Sequence, residues 1–354
     1  MSHPFDTLVF IGRFQPFHSG HLAVVRYALS QSDRVLLLCG SARQPRSTRN
    51  PWTFDQVVAM VRACLTEEES DRVTLAPVMD HLYNEAQWVR LVQQTVADRL
   101  PPRPSDQGAA RLGLIGLASN GGNYFPSRFP QWPAVPFRPD NGVRATPIRE
   151  ALFGLGPASA PSGPAYLEST AAGAVLPEPV RRALRDYCAE PAYLEVKAEA
   201  EFLAKYRAAW SAAPYPPVFV TVDAVVVQSG HILLIERRAR PGRGLWALPG
   251  GFLDPGETLE DSCLRELREE TRLKVPAPVL RGSVRERRVF DAPHRSERGR
   301  TLTHAYWIEL APAPELPKVK GGDDARHAFW LPLAQLEPER LFEDHYFIIQ
   351  AMLG

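Results

Sequence analysis

Apolar and polar positions alternate in two different ways along the chain, and the change falls beyond its middle. In the first half, short apolar runs separate stretches that have helical spacing. The runs predict strands at 7–11, 35–39, 73–78 and 112–117, and the stretches predict helices at 22–29, 54–65 and 86–100. Strands that alternate with helices are typical of a parallel sheet covered by helices. The pattern therefore predicts a Rossmann-like α/β domain.

The middle of the chain predicts a loop followed by two helices. Residues 154–163 are rich in Gly, Pro, Ser and Ala, and a Pro-rich stretch at 101–104 predicts an earlier loop. Helical spacing follows at 178–188 and 193–210, and the prolines of 214–217 stop the second helix. We place the first domain at 1–190, a helical connector at 191–213 and the second domain at 214–354.

The second domain has a different order of elements. Apolar runs predict strands at 218–227, 231–236, 303–310 and 329–331, with a turn at Ser229-Gly230. A single helix is predicted at 259–271. Strands grouped around one helix, without regular alternation, predict an α+β domain.

Composition and charge narrow the function classes. Of 354 residues, 45% are hydrophobic and 23% are charged, which is usual for a globular protein. Lys and Arg number 41 and Asp and Glu number 40, so no basic field favours nucleic acid. The four cysteines are far apart and predict neither a zinc site nor a disulfide framework. No signal peptide or membrane-length apolar run is seen, so we expect a cytoplasmic protein; a homo-oligomer is not excluded.

The first candidate site is the segment that joins the first predicted strand to the first helix, GRFQPFHSGH at 12–21. A helix start attracts phosphate through its unpaired N–H groups and its dipole. His18 and His21 are three positions apart, so both can face one spot at a helix start. Two imidazoles there can donate hydrogen bonds to a phosphoryl group that gains charge in a transition state. Gly20 leaves room for a nucleotide.

This segment resembles the HxGH signature of the nucleotidyltransferase superfamily, most closely that of archaeal-type nicotinamide-mononucleotide adenylyltransferases. The resemblance covers roughly residues 5–190 and extends to Thr146-Pro147-Ile148-Arg149, which is similar to that family's late phosphate-binding motif. It implies that His18 and His21 are catalytic and that the nucleotides contact Gly12, Arg13, Phe14, Gly20, Arg46, Asn84, Trp88, Thr146 and Arg149. The implied reaction joins nicotinamide mononucleotide to the adenylyl group of ATP, giving NAD and pyrophosphate, with magnesium on the ATP phosphates.

The second candidate site is a run of spaced carboxylates at 251–273. Glu266, Glu269 and Glu270 fall at i, i+3 and i+4 of the predicted helix and therefore share one face. Carboxylates this close repel one another unless divalent cations lie among them, and oxygen ligands suit magnesium or manganese. Thr258 can cap the start of the helix. The spacing predicts a metal site that can neutralise a diphosphate and activate water.

The run resembles the Nudix box, GX5EX7REUXEEXGU, at every fixed position but one. The resemblance implies metal binding by Gly250, Glu257, Glu266, Glu269 and Glu270, catalysis by the last three, and a carboxylate-orienting role for Arg265. The exception is Arg272, which stands where the box has a glycine that often adopts positive φ. We expect a strained helix end there, at a cost of about 1 kcal/mol, and retained catalysis.

Other residues suggest the substrate of this second domain. Arg237-Arg238 together with the segment WALPGG at 246–251 resembles Nudix enzymes that act on ADP-ribose and give AMP and ribose 5-phosphate. Contacts to phosphate or ribose are assigned to Arg287, Arg288 and Arg300, and stacking on adenine to Phe290. A general base is available from Asp323 or Asp324, and the sequence does not choose between them.

Both signatures in this order resemble bifunctional adenylyltransferase/Nudix proteins of NAD metabolism. Two alternatives stay open. In the first alternative, the Nudix half is a nucleotide sensor without catalytic activity, although its intact glutamates argue against that. In the second, the chain is a regulator that binds nucleic acid. The neutral charge balance argues against this alternative. Choice between nicotinamide and nicotinate mononucleotide is also open.

Overall fold

The computed structural model describes residues 3–101, 108–117, 124–137, 142–157 and 159–354. The chain separates into two compact units, of which the second contains Leu82–Asn84 and Phe202–Gly354 and the first contains the rest. Most of the loop predicted at 101–104 lies outside the described residues, and so does residue 158 of the loop predicted at 154–163.

The first unit is built on a five-stranded parallel sheet. Its strands are β1 (Phe5–Gly12), β2 (Ser32–Cys39), β3 (Val73–Pro77), β4 (Leu112–Leu117) and β5 (Ala134–Phe137). They lie in the order β3-β2-β1-β4-β5, and every neighbouring pair is parallel. The predicted parallel sheet is confirmed. Strand β5 was not predicted from the sequence, because its four residues are too few to show a period.

Helices form over residues 19–209, and the last of them runs from the first unit into the second at Phe202. They are α1 (Ser19–Gln31), α2 (Phe54–Arg62), α3 (Glu67–Arg72), α4 (Glu85–Arg99), α5 (Tyr124–Arg128), α6 (Ala145–Phe153), α7 (Pro164–Leu167), α8 (Thr170–Val175), α9 (Glu178–Cys188) and α10 (Pro191–Ala209). Capping boxes at Thr53 and Thr66 start α2 and α3. The region predicted as a connector is helical over α10.

Both faces of the parallel sheet are buried, as expected for strands joined through helices. Leu8 and Phe10 of β1 belong to the core that includes Val24 of α1. Val9 and Ile11 point the other way, into a core that includes Val92 of α4. Alternate side chains of β1 therefore enter the apolar cores on the two faces of the sheet. The carboxyl end of this strand leads into the histidine segment.

The second unit has a mixed sheet. Its strands are β6 (Val218–Gln228), β7 (His231–Arg237), β8 (Trp246–Ala247), β9 (Gly250–Phe252), β10 (Val284–Phe290), β11 (Arg300–Glu309) and β12 (Ala325–Pro332). The main order is β10-β11-β6-β7-β12, with β8 paired to β7 and β9 paired to β6. Strands β6 and β11 are parallel and the remaining pairs are antiparallel. The α+β prediction is confirmed.

Three helices pack on this sheet, namely α11 (Leu259–Thr271), α12 (Ala277–Gly282) and α13 (His345–Leu353). Val222 and Val226 of β6 share a core with Leu267 of α11. Val225, on the opposite face of the strand, shares a core with Ile348 of α13. Helix α13 was not predicted from the sequence, because a short and almost wholly apolar segment shows no helical stripe. In the part of the chain that the structure describes, no helix is long and apolar enough to cross a membrane.

Candidate active sites

The predicted histidine pair lies at the start of α1. His18 is the N-cap of this helix, and its Nδ1 accepts a hydrogen bond from the backbone N–H of His21 at 3.3 Å. The two imidazole rings are stacked with their centroids 3.6 Å apart. Because Nδ1 of His18 is an acceptor, the neutral ring carries its proton on Nε2 and can donate from that atom. The helix start and the two rings therefore form the single spot that the spacing predicts.

Burial keeps both rings neutral. His18 and His21 are 2% and 8% exposed. Loss of hydration lowers the pKa of His18 to about 4. It also lowers the pKa of His21 well below the usual value, and the neighbouring His18 lowers it further. At neutral pH both rings are therefore uncharged, so they can offer hydrogen bonds but no positive charge.

The buried ring of Phe14 packs against the histidine segment. Its backbone has φ of 54°, and its side chain is 1% exposed and packs edge-on against Phe10 and His21. A Cβ at Gly12 would lie 3.0 Å from the Phe14 ring, so a side chain at position 12 would crowd that ring. Contact between Phe14 and a nucleotide would have to come from its backbone, because the ring belongs to the core.

Arg149 joins the late motif to the histidine segment. It is 6% exposed, and its Nη1 donates to the carbonyl of Gln15 at 2.6 Å. Its Nε donates to the carbonyl of Thr48 at 3.0 Å, and its Nη2 to the hydroxyl of Thr146 at 3.2 Å. The guanidinium thus fixes two loops through their carbonyls. The helix α6 begins at Ala145, so Pro147 is its third residue and lies in the first turn, whose N–H groups have no partner inside the helix.

The other predicted nucleotide contacts are spread over several elements. Arg46 bonds the carbonyl of Pro51 and the side chain of Gln56, and its guanidinium lies 5.8 Å from the Tyr187 ring. Trp88, on α4, packs beside Phe125 and Phe129.

Three further predicted residues complete this set. Gly20 is buried in the first turn of α1, and Arg13 is exposed in the segment after β1. Asn84 is exposed and is grouped with the second unit, unlike Trp88. The structure thus brings Thr146 and Arg149 to the histidine segment, and it places Asn84 and Trp88 in different units.

The second candidate site is centred on α11, which spans the predicted Leu259–Thr271. Thr258 caps it by accepting the N–H of Asp261 at 3.2 Å. Arg265 donates to Glu257 at 2.9 and 3.0 Å, to Glu266 at 2.9 Å and to Glu269 at 3.0 Å. One guanidinium therefore holds three of the predicted metal-binding carboxylates, which agrees with the orienting role that the family resemblance implies.

Glu270 lies deeper than the other glutamates. It is 4% exposed, and its Oε2 accepts the N–H of Gly250 at 2.9 Å. Burial raises its pKa to about 8, the Gly250 hydrogen bond opposes that shift, and Glu266 adds to it. Burial also raises the pKa of Glu266. A Cβ at Gly251 would lie 2.4 Å from Oε1 of Glu266, so only glycine leaves that carboxylate its place.

These residues fit a divalent cation by their chemistry. Glu266 and Glu270 are crowded carboxylates whose pKa values are raised, and a cation among them would favour the charged forms. In the described ranges, no three side chains of His, Cys, Asp or Glu already stand as a metal-ligand set. Three of the predicted ligands are bonded to Arg265, with which a bound cation would have to share them.

The exception to the box behaves as the sequence predicts. Arg272 is the C-cap of α11 with φ of 53° and ψ of 25°, the left-handed conformation that favours glycine. Its side chain lies against Gly322, where an added Cβ would be 2.6 Å from Nε of Arg272. Gly322 donates to the carbonyl of Glu270 at 3.1 Å. The negative charges of Asp323 and Asp324 raise the pKa values of Glu266 and Glu270 respectively, so both candidate bases lie near the carboxylates.

A buried polar network that was not predicted from the sequence lies next to the strand that carries Gly250. Asp223 of β6 pairs in register with Gly250, and its Oδ2 accepts from Thr303 at 2.6 Å. Its Oδ1 lies 3.8 Å from Nε2 of His345, whose Nδ1 accepts the N–H of Leu248 at 2.9 Å. This network supports the strand that carries Gly250. An Asp in an apolar run and a distant His give no local pattern, although the Asp alone signals a buried polar contact.

Several weaker predictions fare differently. Phe290 is 1% exposed and packs against Tyr83, so the prediction that it stacks on adenine is wrong. Arg287 pairs with Glu260. Arg288 and Arg300 donate to backbone carbonyls. A further arginine, Arg295, forms two 2.8 Å bonds with Asp344 in the interior, and the hydroxyl of Tyr83 also donates to Asp344.

Family models match both units of the chain. The model described as cytidylyltransferase-like matches residues 9–151, and the NUDIX domain model matches residues 217–352. A nicotinamide/nicotinic acid mononucleotide adenylyltransferase of Acinetobacter baylyi is 36% identical over 152 residues, which are 43% of this chain and 77% of the relative. An ADP-ribose pyrophosphatase of Methanocaldococcus jannaschii is 36% identical over 131 residues, which are 37% of this chain and 70% of the relative.

A solved structure matches both units at once. It is a bifunctional NMN adenylyltransferase/ADP ribose pyrophosphatase from Francisella tularensis, complexed with AMP and a manganese ion. The TM-score is 0.87 at 31% sequence identity, and the match covers 99% of this chain and 98% of the other. The two signatures, the two folds and this full-length match agree, so the chain belongs to the family of bifunctional NMN adenylyltransferase/ADP-ribose pyrophosphatase proteins.

Proposed function

We propose that the first unit transfers the adenylyl group of ATP to nicotinamide mononucleotide and releases NAD and pyrophosphate. The stacked His18–His21 pair at the start of α1 is the observation that carries this proposal. The phosphate of the mononucleotide attacks the α-phosphorus of ATP, and pyrophosphate leaves. The attacking phosphate is already anionic, so the site needs alignment and charge stabilisation and needs no general base.

The residues of this unit divide that work. The Nε2–H of His18 donates to an oxygen of the reacting phosphoryl group, and the N–H groups at the start of α1 receive the same anion. Arg149 holds the histidine segment through the Gln15 carbonyl and keeps these donors in place. Trp88 offers its ring to the pyridinium of the mononucleotide. A divalent cation such as magnesium, when bound to the ATP phosphates, would lower their repulsion of the attacking phosphate.

We propose that the second unit hydrolyses ADP-ribose to AMP and ribose 5-phosphate. Glu257, Glu266, Glu269, Glu270 and Gly250 are the residues that would hold magnesium, with manganese as the alternative. When bound, such a metal would supply charge neutralisation of the diphosphate and would activate the attacking water. Arg265 orients three of these carboxylates, and Gly250 fixes the fourth through its N–H. Asp323 and Asp324 are the two candidates for the base that takes the proton of the attacking water.

Product identification by mass spectrometry tests both proposals. ATP is supplied with nicotinamide mononucleotide or with nicotinate mononucleotide, and ADP-ribose is supplied separately with magnesium, manganese or EDTA. We expect NAD and pyrophosphate from the first mixture, and AMP with ribose 5-phosphate only when a metal is present. If neither mononucleotide yields a dinucleotide product, the first proposal is overturned. ADP-ribose that binds without turnover would overturn the second and favour a nucleotide sensor.

A further inference from the structure

The backbone that runs from β8 into β9 presents two polar groups to the second candidate site. Asp223 of β6 is the residue opposite Gly250, and the neighbouring N–H of Ala224 donates to the carbonyl of Pro249 at 2.8 Å. Pairs along an antiparallel ladder alternate between bonded and non-bonded, so the N–H and the carbonyl of Gly250 both point away from β6. The N–H donates to Oε2 of Glu270 at 2.9 Å. The direction of this one peptide group therefore matters to the carboxylate cluster.

A short segment at the start of α13 bonds the same backbone further upstream. The N–H of Phe342 donates to the carbonyl of Trp246 at 2.8 Å. The N–H of Leu248 donates to Nδ1 of His345, the first residue of α13, at 2.9 Å. We call residues 342–345 the bracket. It holds two alternate residues of the backbone that leads into β9.

The ring of His345 contacts two strands at once. Its Nδ1 accepts the N–H of Leu248, so the neutral ring carries its proton on Nε2. Nε2 lies 3.8 Å from Oδ1 of Asp223, whose Oδ2 accepts from the hydroxyl of Thr303 at 2.6 Å. The ring is 6% exposed, and loss of hydration lowers the pKa of His345 to about 3. A neutral ring with one defined tautomer thus joins β6 to the backbone before β9.

The bracket is itself held by contacts outside the carboxylate cluster. Asp344 accepts two 2.8 Å hydrogen bonds from Arg295, and these two side chains are 3% and 2% exposed. The N–H of His345 donates to the carbonyl of Phe342 at 3.1 Å, and the rings of these two residues pack edge to face. The position of the imidazole is therefore set independently of the carboxylates, as a residue that orients other groups requires.

We propose that His345 is a positioning residue for the metal site of the second unit, and that it acts by holding the N–H of Leu248 and so the direction of the Gly250 peptide group. Gly250 has no side chain, so its carbonyl oxygen is the group that it can offer to a divalent cation. Its N–H already fixes Glu270. The proposal rests on the hydrolytic function proposed above. Arg265 orients carboxylate side chains, whereas His345 orients backbone.

Two substitutions of His345 separate its hydrogen bond from its ring. In His345→Asn, the side-chain oxygen can take the place of Nδ1 and accept the N–H of Leu248. In His345→Gln, the amide extends to the place of Nε2, and the N–H of Leu248 loses its partner. Both variants replace a neutral ring by a neutral amide. A difference between them therefore reports the bond to Leu248.

Manganese binding by the full chain without substrate tests the proposal and is measured by electron paramagnetic resonance. His345→Gln should weaken manganese binding about tenfold or more, the usual effect of losing a residue that orients a metal ligand. His345→Asn keeps the hydrogen bond and should bind within about threefold of the natural protein. Hydrogen exchange over residues 246–250, followed by mass spectrometry, should be faster in His345→Gln than in His345→Asn.

The control is His231→Gln, the same substitution at the first residue of β7, where the ring lies 2.9 Å from the carbonyl of Ser229 in the preceding turn. It should leave manganese binding unchanged. Circular dichroism at the assay temperature checks that each variant is folded. A merely structural histidine would lower the unfolding temperature in both His345 variants and leave the manganese affinity of the folded chain as it is.

Manganese affinity of His345→Gln equal to that of the natural protein would overturn the proposal. An equal loss of affinity in His345→Gln and His345→Asn would also overturn it, because the ring and not the bond to Leu248 would then be responsible. A natural protein that binds manganese, depends on His345 in the expected way and still releases no AMP from ADP-ribose would overturn the hydrolytic function alone.

Discussion

The two candidate sites differ in the charge of their side chains. The first presents a pair of neutral imidazoles at a helix start, where burial suppresses their charge. The second gathers carboxylates around Arg265 and keeps Glu270 buried beside them. A reaction whose attacker is already an anion needs hydrogen-bond donors, whereas a reaction that begins with water needs a cation and a base. The two sites therefore differ in charge because the proposed nucleophile is a phosphate anion in the first and water in the second.

The sites also differ in how they are held. The histidine segment is fixed by an arginine that bonds carbonyls, Arg149, with the aromatic ring of Phe14 beneath. The carboxylates of the second site are fixed by an arginine that bonds other carboxylates, so their support is ionic. We expect the first site to respond mainly to changes in packing and the second mainly to changes in charge.

The largest expected effect separates the two activities at the first site. His18→Ala or His21→Ala should lower the rate of adenylyl transfer by about a hundred- to a thousandfold, because each removes a donor to the transition state. ATP binding should weaken much less. Hydrolysis of ADP-ribose by the same variants serves as the control and should be unchanged. Near-normal NAD formation by both variants would contradict the role of the pair.

The reciprocal variant is Glu266→Gln. Loss of one carboxylate from the cluster should lower ADP-ribose hydrolysis by about a hundredfold or more and weaken manganese binding, since the amide has no charge for the cation. Manganese binding is measured by electron paramagnetic resonance, and adenylyl transfer by this variant should be normal. If hydrolysis and metal affinity both survive, the carboxylates do not form the metal site.

Arg149→Lys tests how the histidine segment is held in place. Lysine keeps the charge but cannot bond Gln15, Thr48 and Thr146 together, so we expect a loss of about 1–3 kcal/mol in the free energy of unfolding. Adenylyl transfer should fall with it. Arg72→Lys is the matched control, because Arg72 also bonds backbone carbonyls. It should cost stability and leave transfer unchanged; equal transfer in both variants would mean that Arg149 is only structural.

A pH titration tests the neutrality of the histidine pair. The folded chain holds His18 neutral down to about pH 4, whereas the unfolded chain protonates it below about 6.5. The free energy of unfolding of the first unit should therefore fall as the pH drops from 6.5 toward 4, and this dependence should be absent above 6.5. Nuclear magnetic resonance of the ring protons measures the pKa directly. A His18 midpoint near 6.5 would show that the ring is hydrated.

The smallest expected effect concerns the departure from the Nudix box. Arg272→Gly should raise stability by about 1 kcal/mol, because glycine adopts the observed positive φ without strain. ADP-ribose hydrolysis should change little. Arg272→Ala removes the same side chain but keeps the strain, so it should not stabilise. Thermal unfolding of both variants compares them, and equal melting temperatures would show that φ at this position costs nothing.

Prediction from the sequence worked best where one element carries the chemistry. His18 and His21 lie at the N-cap and in the first turn of one helix, and Glu266, Glu269 and Glu270 lie in another. The period of a helix fixes which of these side chains share a face. Prediction failed for Phe290, because a strand residue gives no sign of which face another segment covers. It also missed β5 and α13, which are too short or too apolar for a clear period.

The sequence by itself determined the two folds, the two motifs and the left-handed helix end at Arg272. All of these follow from the spacing of residue types and from the backbone preferences of residues within short segments of the chain. Only the tertiary structure decided that Arg149 bonds carbonyls, that Asp223 meets His345, and that Arg295 bonds Asp344. Those contacts join residues tens of positions apart. Their geometry depends on how strands and loops pack, which no local period records.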